Sequence, residues 1–158
     1  MADVKSKQFI GTAQTVINTA VDIAAGNFSA AGTTFDNTTD ASVPYAAYAL
    51  AMAEFPDWAL APAAGTVVEL WGTLVDTDGT DDDTDAPSGT AAGGARYFGS
   101  WPIAAADALQ RRTIVISLLG VQKGFVPYIK NGTAQNMNND AGTNCVVKIT
   151  PFAEGVTT

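Results

Sequence analysis

With 158 residues the chain has room for one domain whose two-layer core needs no covalent staple, and its single cysteine rules out an intramolecular disulfide. It contains no histidine, which removes the usual serine and cysteine triads. The net charge of −8 is unevenly spread: six of the 16 acidic residues fall within residues 76–85, leaving 10 acidic against 8 scattered basic residues, so no concentrated positive footprint for DNA or RNA exists.

No targeting segment is expected. No stretch approaches the roughly 20 apolar residues of a bilayer span, and polar residues interrupt positions 9–14 before a signal-peptide core develops. The expectation is a soluble product made in the cytoplasm, with no membrane partner.

Residues 1–20 are polar and show no sustained periodicity, so they read as an N-terminal arm that orders on a partner. Residues 21–158 read as one domain. Val21-Asp22-Ile23 suggests a short strand, followed by turn-favouring chemistry at Gly26-Asn27 and across 32–40. Between Pro44 and Pro56, bulky Tyr48, Leu50 and Met52 alternate with alanines, as in a strand with one bulky face. Tyr45, Tyr48, Met52 and Phe55 also fall at helical spacing and alanine favours helix, but the prolines bound a run of strand length, and we assign a strand.

Residues 67–75 put Val68, Leu70 and Leu74 on one face and Glu69, Trp71 and Thr73 on the other. A long acidic loop, 76–95, follows, and a connection of that length inside a compact domain is mobile or functional. Extended chain resumes at Arg96, and the clearest alternation runs through Ile114, Ile116 and Leu118. The run 124–130 is strand-like, but Pro127 cannot donate to a ladder, which places it at a sheet edge or bulge. Asn131-Gly132 then supplies a tight turn. Cys145, Val147 and Ile149 form the inner face of a last strand, with the cysteine as a small buried hydrophobe. About eight short strands in one chain point to an all-β, jelly-roll-like (Greek-key) sandwich.

Three stretches could carry chemistry. The acidic loop concentrates oxygen ligands, and Asp76, Asp78, Asp81 and Asp83 are its candidate calcium ligands. Against an EF-hand it fails, with Thr80 at the fifth position, Asp81 in place of the glycine and Pro87 in place of the closing glutamate. A calcium loop of another kind stays open beside the plainer reading, a solvated and self-repelling surface segment. No other cofactor is expected. Trp58, Trp71 and Trp101, with Tyr97 and Phe98, would suit either a platform for sugar rings or ordinary core and interface packing. A glycosidase pair would have to come from Glu54, Glu69, Glu154 or an aspartate, and no two of these are set at a defined separation. No catalytic residue is assigned, and an enzyme is not expected.

Several short signatures occur in order along most of the chain: Gly65-Thr66-Val67-Val68-Glu69-Leu70-Trp71, the Asp/Gly/Thr loop after it, and Phe98 with Trp101-Pro102-Ile103. They continue with Gln110-Arg111-Arg112, Lys130-Asn131-Gly132-Thr133 and residues 146–152. Together they resemble the jelly-roll cement, or decoration, proteins of tailed bacteriophage capsids. The chain departs from that pattern in its Asp-rich loop and in Pro127. The resemblance implies a non-enzymatic protein made in the host cytoplasm that binds the outer surface of the assembled head and bridges capsomers. Its implied partners are the shell of major capsid protein and further copies of itself, as a homodimer or homotrimer. On this reading Lys5, Lys7, Phe9 and Ile10 of the arm are the candidate contacts to the shell or a neighbouring copy. The competing reading is a carbohydrate-binding module of a tail fibre or glycosidase.

Overall fold

The computed structural model describes residues 5–76, 85–138 and 143–157. Nine strands and no helix occur among them: β1 (Lys5–Ile10), β2 (Gln14–Thr19), β3 (Phe35–Asp36), β4 (Tyr48–Phe55), β5 (Val67–Val75), β6 (Arg96–Pro102), β7 (Gln110–Ser117), β8 (Gly124–Asn131) and β9 (Cys145–Thr157). One sheet runs β2-β9-β4-β7, with β1 also on β9, and the other runs β3-β8-β5-β6. Only β5 and β6 are consecutive strands paired with each other. From β2 onward every other link crosses between the sheets, which is the double Greek key of a jelly roll.

The core follows from alternation. Val68 and Leu70 of β5, Ile116 of β7, and Cys145, Val147 and Ile149 of β9 all point inward and are buried. β4 turns its alanines, Ala49, Ala51 and Ala53, into the sandwich and leaves Tyr48, Leu50 and Met52 outside. The bulky face predicted for this strand is therefore the outer one. Large rings reach across to fill the space above the alanines: Trp101 of β6 donates its indole N–H to the Ala51 carbonyl at 3.0 Å and packs edge-on against Phe55. Gly72 interrupts the inner face of β5 because a Cβ there would collide with the ring of Phe125, which stacks on Phe98 at 4.1 Å.

Three expectations are corrected. Residues 5–19 of the expected arm are not left waiting for a partner, since β1 and β2 run antiparallel along β9 in register from Lys5↔Thr157 to Thr19↔Cys145. A bulge between Thr15 and Ile17 turns the adjacent Val16 and Ile17 both inward, which erases the two-residue period. Val21-Asp22-Ile23 is not a strand; Ile23 makes a single bridge to Met137. Asn131-Gly132 is not a hairpin turn, because β8 and β9 lie in opposite sheets.

Pro127 sits in a strand that has neighbours on both sides, yet it breaks no ladder. Its carbonyl accepts from Gly32 N–H at 2.9 Å, so its nitrogen faces that same flank, beyond the reach of two-residue β3. Cys145 is buried, and burial pushes its thiol up to about 12, which leaves no thiolate nucleophile at neutral pH.

Candidate interaction surface

The most distinctive surface lies where the two ends of the chain meet. β4 pairs with β9 only as far as Tyr48↔Phe152, while β1 continues along β9 to Thr157. Beyond Tyr48 the sheet therefore narrows to a two-stranded ribbon of residues 5–9 and 153–157. Its root is pinned by close contacts. Gly11 N–H donates to Pro151 O at 2.8 Å, and a Cβ at Gly11 would lie 2.5 Å from Val43 and 2.9 Å from Pro151.

Asp40 ties the neighbouring loop to the same point. Its carboxylate accepts from the Ser42 hydroxyl and amide and, at 2.6 Å, from the Thr12 amide. These bonds, the Ser42 hydroxyl first, hold its pKa down from 3.8 to about 2. A depressed folded-state value means that the staple is fully present above pH 3.8 and is lost as pH falls through about 2. A carboxyl-carbon NMR titration should give Asp40 a midpoint near 2, with the Thr12 amide shift following it. A midpoint at the ordinary carboxylate value would contradict the staple.

The structure splits the four predicted contact residues. Lys5 pairs with Thr157 at the far end of the ribbon. Lys7 is exposed, and its ammonium lies 5.0 Å from the centre of the half-buried Phe9 ring, so these two share one ribbon face. Ile10, opposite Phe152, belongs to the other face.

That other face joins a row the sequence reading missed: Ile10, Phe152, Tyr48 and Ser117 lie side by side across four strands. Tyr48 and Phe152 stack at 6.0 Å. With Ala47, Val115, Ala153 and Glu154 they line an open cleft of about 410 Å³. Ile10 is 60% exposed, Val115 61%, Leu119 60% and Tyr45 65%. Tyr45 also adopts a left-handed backbone (φ 55°), which costs a bulky residue roughly 1 kcal/mol, with its N–H held by the Asn37 carbonyl. Exposed apolar side chains gathered at one end of a sheet mark an interaction surface. The available signal was the run 45–53, apolar on both faces of a strand.

The other candidates fare differently. Asp76 is half-buried at the end of β5 and, with Leu74, Val75, Gly120 and Gln122, lines a shallow recess. Asp78, Asp81 and Asp83 lie outside the described residues, and no metal-ligating cluster of three occurs among the described ones. The sugar platform is not assembled: Trp58, Trp101 and Phe98 are buried. Trp71 and Tyr97 do meet on the outer face of the second sheet, but Trp71 is flanked edge-on by Phe28 at 5.8 Å and Tyr97 at 5.3 Å. The Trp71 N–H is bound to Glu69 at 2.8 Å, so that donor is already used, and of the five aromatics only Tyr97 is largely exposed.

No family model matches the chain, and no curated protein matches it. Among solved structures, a decameric BFDV capsid protein is similar over 96% of this chain and 99% of that one, at 14% identity and a TM-score of 0.33, a likeness too distant to carry an inference.

Proposed function

We propose that the chain is a non-enzymatic capsid decoration protein that binds the outer surface of an assembled phage head and bridges its capsomers. The observation that carries this reading is the ribbon built from both chain ends, extending past the sandwich with Lys7 and Phe9 on one face. Such a ribbon offers a basic and aromatic edge to a neighbour without disturbing the core. The jelly-roll strand order agrees with the family that the sequence signatures resemble. Mechanically the brace works through multivalency: each oligomer touches several shell subunits, so modest contacts act together and rupture requires breaking several at once.

The test is co-sedimentation and electron microscopy of the purified protein with expanded empty shells. Wild type should decorate them, and the double variant Lys7→Glu, Phe9→Ala should bind at least about ten-fold more weakly with an unchanged circular dichroism spectrum. Bare shells beside strong signals on a glycan array would replace this reading with that of a carbohydrate-binding module.

A further inference from the structure

We propose that the outer face of the β9-β4-β7 sheet is where a second copy of this chain packs, face to face about a two-fold axis. This surface is separate from the Lys7–Phe9 face of the ribbon, and the proposal rests on the decoration reading by giving its self-association an interface, whereas shell binding tests that reading on its own.

The first argument is the pattern of β4. A strand with one solvated face alternates apolar and polar residues, whereas one covered on both faces reads as a nearly continuous apolar run. β4 is of the second kind up to Glu54, and its outward residues are Tyr48, Leu50 and Met52. Register places Val115 beside Leu50 and Phe152 beside Tyr48, so the apolar strip widens onto both neighbouring strands. The fold covers one face of β4 and leaves the other open.

The second argument is charge. Lys148 and Glu154 project from the same face of β9, six residues apart, and neither has an ion-pair partner among the described residues. A two-fold axis in the plane of the face, crossing β9 at Pro151, lies midway between them. It sets Lys148 of each copy opposite Glu154 of the other and lays Tyr48 against the partner copy's Leu50. An axis placed there makes the face self-complementary, as an isologous contact requires, and it also crosses β4 at Ala49, between Tyr48 and Leu50. Arg111 is already paired with Glu54 at the far end of the strip.

The third argument is area. Three strands about 4.8 Å apart and about 27 Å long present roughly 400 Å² in projection, and more once pleated side chains and the flanking β1 and β2 are counted. A stable interface takes about 800 Å² from each partner. Leu119 and Tyr45, at the same end of the sheet, extend the apolar rim towards that figure.

Light scattering with size-exclusion chromatography should give twice the chain mass at about 100 μM, and Val115→Lys, at an exposed position, should give a folded monomer. Lys148→Glu and Glu154→Lys each bring like charges together across the axis and should each weaken association about ten-fold. Mixing those two single variants should restore a dimer, because every facing pair then has opposite signs. A wild type that stays monomeric or forms a trimer, or a dimer indifferent to Val115→Lys and both charge reversals, would overturn the proposal.

Discussion

Trp101→Ala is expected to remove about 3–5 kcal/mol of folding stability and lower the melting temperature by roughly 10 °C, as read by urea and thermal unfolding. The indole is fully buried on β6, fills the space left by the alanine face of β4 and hydrogen-bonds to Ala51 across the sandwich. Its surroundings cannot collapse into the void, because the alanine side chains opposite have no length to extend. Trp101→Phe keeps most of the volume and loses the N–H donor, so it should cost far less, about 1–2 kcal/mol. Equal losses for the two variants would mean that the hydrogen bond, not the filled volume, dominates.

The second large effect is expected at Asn131. Its side chain is buried at the end of β8 and makes four hydrogen bonds: Nδ2 donates to the carbonyls of Ile23 (2.9 Å) and Gln135 (2.8 Å), and Oδ1 accepts from the Thr133 amide (3.1 Å) and hydroxyl (2.8 Å). Asn131→Ala leaves the buried Thr133 amide without its acceptor, while the Ile23 carbonyl keeps the Met137 N–H and the Gln135 carbonyl keeps the Thr133 hydroxyl, so about 1–3 kcal/mol should be lost. Asn131→Asp has the same shape but turns a carboxylate oxygen towards two carbonyls. At neutral pH it should be the worse variant, and it should recover on mild acidification as the buried carboxyl takes up a proton. A pH-independent loss would place the cost elsewhere in the loop.

Much of the architecture was legible because alternation is local. β5, β7 and the first half of β9 stand where apolar residues recur every second position, β4 where bulky residues alternate with alanines between two prolines, and Cys145 is buried as the pattern of its strand requires. β1 and β2 were not legible. Their residues are polar or bulged, and they are strands only because β9 presents an unpaired backbone edge to them from the other end of the chain. Asn131 misled for a related reason: Asn-Gly favours a tight turn locally, but the chain there crosses between sheets and uses the asparagine as a buried hub.

The arrangement of the expected contact residues was not legible. Lys5, Lys7, Phe9 and Ile10 were marked as contacts, but the alternation of β1 sends Lys7 and Phe9 to one face and Ile10 to the other, where it joins Phe152 and Tyr48. Sequence by itself determined the class of fold, the absence of a histidine-based site and the bulky face of β4, since each depends only on residue identity or on a period of two. Only the tertiary structure decided that this bulky face points outward and that the two chain ends form one ribbon. Both follow from which distant strands share hydrogen bonds, and no local spacing encodes that.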